Sequence, residues 1–211
     1  MILLQKNKLR RWELALLLGV AFAMLFGLYL DGAQASLRDK VVRLHVIANS
    51  DSDADQALKG KVRDRILELA ESYYAPGDDL ATAEAKLSAH LEDLAHAGEE
   101  VVRQEGYSYP VTATIEDTWF PTKQYEDFAL PAGEYMALRI VIGEGDGRNW
   151  WCVVFPPLCL GSVTEETAET AAAAGFSQDE ISLVTGESGG YIIKFKCIEL
   201  WEEWKRAIQG G

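Results

Sequence analysis

Val41-Val42-Arg43-Leu44-His45-Val46-Ile47-Ala48, followed at once by Asn49-Ser50-Asp51-Ser52-Asp53, is the stretch whose reading decides the fold. The first eight residues are apolar except for Arg43 and His45 and are rich in β-branched side chains, which predicts a short buried strand. The next five carry turn and helix N-cap chemistry. Ala54, Leu58, Val62, Ile66, Leu69 and Tyr73 then recur every three or four residues, so a helix is expected to about Tyr74. Ala75-Pro76-Gly77-Asp78 ends it. Leu80, Ala83, Leu87, Leu91, Leu94 and Val101 predict a second amphipathic helix, stopping near Gly106.

Beyond Gly106 the period changes to two. Val111, Ala113 and Ile115 alternate with Thr112, Thr114 and Glu116, the pattern of a half-buried strand. The proline-interrupted aromatic segment Trp119 to Tyr125 reads as a loop or edge. Leu130-Pro131-Ala132-Gly133 leads into a strand with Met136, Leu138, Ile140 and Ile142 on one face. Gly143-Glu144-Gly145-Asp146-Gly147 is expected to turn a hairpin, with Asn149 to Phe155 returning beside that strand. From Gly161 to Gly190 the chain is acidic and rich in small residues; Glu165 to Ala174 has helical character, but the stretch reads as a mobile insertion. Tyr191 to Ile198 reads as a last strand and Glu199 to Ile208 as a closing helix. The expected class is α+β: two amphipathic helices packed on a mainly antiparallel sheet, preceded by an N-terminal signal or anchor helix.

That amino-terminal segment begins with Lys6, Lys8, Arg10 and Arg11, continues as the uncharged apolar run Leu14 to Leu30, and reaches Ala33-Gln34-Ala35. A basic head, an apolar run and a small-x-small triplet describe a secretory signal peptide, residues 1–35. The small residues favour cleavage after Ala35. The run of 17 residues is also just long enough for an uncleaved anchor. Either way the domain 36–211 is expected outside the cytoplasm, with membrane contact through the N-terminal segment before cleavage. That domain holds 176 residues, enough for one core, and its 16 basic against 31 acidic residues give a net charge of −15. Such acidity argues against nucleic acid and anionic lipid as partners and fits a soluble protein that meets a complementary patch on another.

Three cysteines allow at most one disulfide. Cys152 and Cys159 flank Val-Val-Phe-Pro-Pro-Leu, whose prolines turn the chain back, and read as the pair. Cys197 reads as a small buried hydrophobe, although its pairing with either of the others stays open.

No complete catalytic or metal constellation is found. The glycines at 143, 145 and 147 precede a strand, not the helix N-terminus that a phosphate loop requires. Asp51-x-Asp53-x-Asp55 has Gln56 and Val62 where a calcium loop needs glycine and glutamate, so an acidic helix start explains it better. His45, Ser50 and Asp51 are triad residue types without a nucleophile elbow. His90 and His96 stand six apart on a helix, which is not a metal spacing. No cofactor, metal or catalytic residue is expected. An exported cell-wall hydrolase, the alternative, needs convergent carboxylates, and Glu134, Glu144 and Asp146 are the ones available. A cell-envelope binding module without signalling is the third reading. The adjacent Trp150 and Trp151 must face opposite sides of a strand, so either one ring packs in the core and the other is partly exposed as an anchor for a partner, or both are covered, under the helices or the closing helix.

Several segments together resemble one family. His45-Val46-Ile47-Ala48-Asn49-Ser50-Asp51-Ser52, Asp55-Gln56-x-Leu58-Lys59 and Val62-Arg63-Asp64 are similar to the amino-terminal signature of the stage II sporulation protein R family. So are Phe120-Pro121-Thr122-Lys123-x-Tyr125, Leu130-Pro131-Ala132-Gly133-x-Tyr135-x-Ala137-Leu138-Arg139, and the long block Ile142 to Cys159 containing Asn149-Trp150-Trp151-Cys152. The resemblance runs from about Val41 to Cys159 and resumes weakly at Phe195; 161–190 departs from it. It implies a non-enzymatic signal for endospore formation, made in the forespore and exported to the intermembrane space. The implied partner is a membrane-embedded aspartic protease of the mother-cell membrane that processes pro-sigma-E. On this reading the partner-binding residues are His45, Asn49, Ser50 and Asp51, with Phe120, Pro121, Thr122 and Lys123, and with Trp150 added as an aromatic anchor.

Overall fold

The computed structural model describes residues 11–22, 25, 37–75, 77–125, 128–158, 164–178, 180–181 and 199–200. The chain divides into two compact units, Met1–Ser36 and Leu37–Gly211. In the first, residues 11–22 are helical, with Leu14, Leu16, Leu17 and Leu18 exposed. Among the described residues no helix is long and apolar enough to cross a membrane.

The second unit is built on a four-stranded sheet. Strand β1 is Val42–Ile47, β2 is Val111–Phe120, β5 is Gly133–Ile142 and β6 is Asn149–Phe155, in the order β2-β5-β1-β6. The β2–β5 and β1–β6 pairings are antiparallel and β1–β5 is parallel. A small antiparallel pair, β3 (Lys123–Gln124) with β4 (Ala129–Leu130), lies between β2 and β5 in the chain. The class is therefore α+β with a mainly antiparallel sheet, as the sequence predicts.

Three helices follow β1. Helix α1, Asp53–Glu71, starts where Ser52 Oγ accepts from the Asp55 N–H at 3.1 Å. Helix α2, Leu80–Ala89, is capped by Asp79, whose carboxylate accepts from the Thr82 N–H at 2.9 Å. Helix α3, Leu91–Gln104, follows immediately. The single second helix expected from the periodicity is thus two. His90 leaves the helical region (φ −116°, ψ 19°), with its ring stacked on Tyr73 at 4.2 Å. The apolar period hides this break because Leu87 and Leu94 are buried on either side of it.

β1 lies second from the edge and is buried along its whole length because both its faces are covered. Val42, Leu44 and Val46 pack with Leu58, Val62 and Ile66 of α1, Leu87 of α2 and Leu94 of α3. A second core cluster joins Val41 to Phe120, Tyr135 and Val153. Ala137, Leu37, Phe128, Leu130, Leu158, Ala171, Phe176 and Ile181 complete it. Ala171 comes from helix α4, Thr164–Ala173, Phe176 follows the turn after it, and Ile181 lies in a helical turn beyond. The stretch read as an insertion therefore contributes these three residues to the core. The strand expected at Tyr191 to Ile198 lies outside the described residues, as does the closing helix apart from Glu199 and Leu200.

Of the two readings of the aromatic segment, loop or edge, Trp119 and Phe120 take the second: they end a ten-residue outer strand, and Pro121, which has no N–H to give a ladder, follows its end. One further expectation is corrected. Residues 143–148 do not turn a hairpin. β1 is inserted between β5 and β6, so this segment crosses the carboxyl end of β1 to reach the strand on its far side.

Candidate functional site

The crossing segment and the β1–α1 loop are tied together at that end of the sheet. Gly147 N–H donates to Ala48 O at 2.9 Å and Asp146 N–H to Asn49 O at 3.2 Å. Glu144 N–H donates to Asn49 Oδ1 at 3.1 Å, and Arg148 N–H to Asp51 Oδ1 at 2.7 Å. A methyl group on Gly147 would overlap the Ser50 carbonyl, and Gly143 sits at φ +60° against the Asn49 side chain. The glycines are there for close approach of two backbones, not for a phosphate.

Beneath this loop pair lies Asp55, only 5% exposed. Its Oδ2 accepts from Ser50 Oγ at 2.5 Å and from Asn49 Nδ2 at 2.9 Å. These bonds, Ser50 first, hold its carboxyl below the ordinary value of 3.8 despite burial. Lys59, also 5% exposed, donates to Gln56 Oε1 at 2.6 Å and to Arg148 O at 2.7 Å; burial lowers its pKa. Asn49 and Ser50 therefore build the loop, whereas Asp51 is exposed on it.

Trp150 follows Arg148 by two residues and is 42% exposed, with the Arg63 guanidinium of α1 4.3 Å from its ring centroid. The face of this pair still open to solvent is a planar aromatic backed by a cation, the residue combination that dominates interface hot spots. Trp151 turns the other way, as alternation requires, and is half-buried on the opposite side of the sheet.

There it stacks on His45, with ring centroids 3.9 Å apart. His45 is 6% exposed; its Nε2 lies 2.8 Å from Asn149 Oδ1, its Nδ1 has no hydrogen-bond partner among the described residues, and burial lowers its pKa. Arg43 is fully buried beside it. Its guanidinium lies 4.1 Å from the Phe120 ring and 4.9 Å from the Tyr135 ring, and Nη2 donates to Tyr125 Oη at 2.9 Å. Tyr125 Oη donates on to Trp151 O at 3.0 Å. Among the described residues Nε and Nη1 of Arg43 find no acceptor and no carboxylate pairs with it, so the cation is held there by ring faces and one phenol.

The residues expected at a partner surface consequently separate. His45 and Phe120 are core, with ring centroids 6.2 Å apart. Asn49, Ser50 and Asp51 stand beside Gly143, where β5 ends. Phe120 pairs with Gly133, where β5 begins, so Pro121, Thr122 and Lys123 follow at that other end. Thr122 Oγ1 accepts there from the Ala132 N–H at 3.1 Å. Asp51 and Trp150 are the expected residues that reach solvent around one loop. Arg63, Arg148, Asp55 and Lys59 are not among the residues expected at the partner surface, although Asp55, Lys59 and Arg63 stand in the family-like segments. The Ser52-x-x-Asp55 spacing was the available signal for Asp55, and only the fold brings Arg63 to Trp150.

Cys152 is buried and disulfide-bonded. Cys159 and Cys197 both lie outside the described residues. Ser50 donates to Asp55 and His45 binds Asn149, so the two are not arranged as nucleophile and base. Among the described residues no three His, Cys, Asp or Glu side chains cluster to hold a metal ion.

The family described as stage II sporulation protein R matches residues 38–165, from the residues before β1 into α4. Stage II sporulation protein R of Bacillus subtilis (strain 168) is 33% identical over 155 residues, covering 71% of this chain and 69% of that one. The chain belongs to the stage II sporulation protein R family. No solved structure matches it. The family match spans the whole four-stranded sheet, helices α1 to α3, the tied loops beneath Trp150 and the Arg43 aromatic layer.

Proposed function

We propose that this stage II sporulation protein R family member is a secreted signal between the two compartments of a sporulating cell. On this reading it is made in the forespore and exported to the intermembrane space. There it activates a membrane-embedded aspartic protease of the mother-cell membrane, which removes the pro-sequence of pro-sigma-E. The observation that carries the reading is the family match over residues 38–165.

Three physical features support it. The basic-apolar-small pattern of residues 1–35 is that of an export signal. The domain that follows carries −15, which keeps it soluble in a narrow aqueous gap and off anionic membrane surfaces. The exposed Trp150 with Arg63 beside Asp51 and Arg148 offers a compact contact surface on a rigid sheet. The domain itself does no chemistry: it acts by binding the active arrangement of the protease more tightly than the inactive one, and the hydrolytic groups belong to the protease.

The test is pro-sigma-E processing in a sporulating strain deleted for this gene. Processing is expected to stop and to return when the full-length gene is restored. Undisturbed processing in the deletion strain overturns the reading.

A further inference from the structure

Among the described residues β2 has one strand neighbour, β5, and no strand pairs with its other edge. Gly143 N–H donates to Pro110 O at 2.9 Å, so the inward ladder bonds fall at 110, 112, 114 and 116. The alternate residues, Val111, Ala113, Ile115 and Asp117, turn their backbone groups outward. Val111 N–H is taken by Glu99 Oε1 at 3.5 Å. No strand pairs with Ala113, Ile115 or Asp117 on that side among the described residues.

Edges of this kind are normally blunted by charged side chains, lysine above all, by proline, a bulge, shortness or a covering element. Between Ala113 and Asp117 the carboxylates of Glu116 and Asp117 are the charges present, and they repel acidic strands while leaving the edge open to basic ones. The register with β5 runs through ten successive pairs without a shift, and no proline or lysine occurs from Val111 to Phe120. Pro110 and Pro121 bracket the strand. Thr112, Thr114, Glu116 and Asp117 are exposed.

We propose that the β2 edge from Ala113 to Asp117 receives an extended, cationic segment of a partner protein as an added strand. Backbone pairing supplies the contact, and the carboxylates of Glu116 and Asp117 select basic side chains on the incoming strand. Glu116 already has Arg139 at 3.6 Å on its inner side, whereas Asp117 meets solvent directly. A second copy of this chain is disfavoured as occupant, because two domains of −15 repel. The edge lies across the sheet from β6, which carries Trp150, so both surfaces can be occupied at once. The inference rests on the signalling reading only for the identity of the partner.

The experiment uses the full chain in sporulating cells, with a photo-crosslinking phenylalanine analogue at position 114, which leaves both carboxylates in place. A crosslinked product containing a different polypeptide is expected, and it should fall at least ten-fold with Ile115→Pro, which removes an outward N–H and leaves the inward ladder intact. The exported amount and protease resistance of the variant are measured alongside; if it fails to accumulate, Asp117→Lys with the crosslinker at 114 takes its place. A product of two copies of this chain, no product, or a product unchanged by the variant overturns the inference. Because the crosslink is read independently of pro-sigma-E, its failure stays distinct from normal processing in the deletion strain, which overturns the signalling reading instead.

Discussion

Asp55 and His45 are two buried titratable groups that make opposite uses of their surroundings. Asp55 is kept ionised by Ser50 and Asn49, so its folded-state pKa lies below 3.8. A depressed carboxyl stabilises fully above its unfolded value and loses that contribution as pH falls through the folded one. Asp55→Asn should therefore lower stability by about 2 kcal/mol at neutral pH, the worth of charge-assisted hydrogen bonds. The difference from the parent should shrink below pH 3.8; denaturant melts across that range check it. His45 is instead kept neutral by burial. Below its ordinary value of 6.5 the unfolded chain takes up a proton that the folded chain resists, so stability is lost as pH falls from there toward the folded value. His45→Phe keeps a ring against Trp151 and removes the buried Nδ1. It should change neutral-pH stability by less than about 1 kcal/mol and abolish that part of the acid slope. A variant melting curve that keeps the slope would place its origin elsewhere. Of these roles, the capping of α1 was readable from Ser52 and the aspartates after it. The burial of His45 was half-readable, since it interrupts an apolar run, but the ring that receives it comes from β6 and nothing local announces that.

At the scale of elements, the decisive feature is the insertion of β1 between β5 and β6. Alternation and β-branching identified each of these strands, because those signals are local. Pairing order is not local, and a glycine-rich connection between two consecutive strands reads as a hairpin when nothing marks a third strand between them. The glycines meant something else: Gly147 faces the Ser50 carbonyl and Gly143 the Asn49 side chain. Gly147→Ala should accordingly cost about 2 kcal/mol or more through displacement of the β1–α1 loop. It should also reduce the stacking of Arg63 on Trp150, visible as a change in tryptophan fluorescence. A melting temperature equal to the parent's would contradict this account of the loop. The break at His90 escaped notice for a similar reason, since an apolar period carries no record of a kink that leaves both flanking leucines buried. The second core layer was missed because Phe128, Leu158, Phe176 and Ile181 lie in short or irregular segments without a period to read.

At the scale of the whole molecule, a leader-like segment precedes an acidic domain whose matched family is named for sporulation. The long Asn149-Trp150-Trp151-Cys152 block made that family legible from residues alone, whereas the division of the expected partner residues between core and surface needed the fold. Trp150→Ala is the variant that separates contact from architecture. Its ring is 42% exposed, so stability should change by no more than about 1 kcal/mol, while pro-sigma-E processing should fall at least ten-fold. Processing at the parent level with the variant fully exported would remove Trp150 from the contact surface. The central claim, however, is that the domain signals from outside the cell that makes it. Its most direct measurement compares pro-sigma-E processing in the deletion strain carrying either the full chain or the chain with residues 2–35 removed, expressed equally in the forespore. The account predicts processing with the full chain and none with the leaderless one; equal processing from both would contradict it.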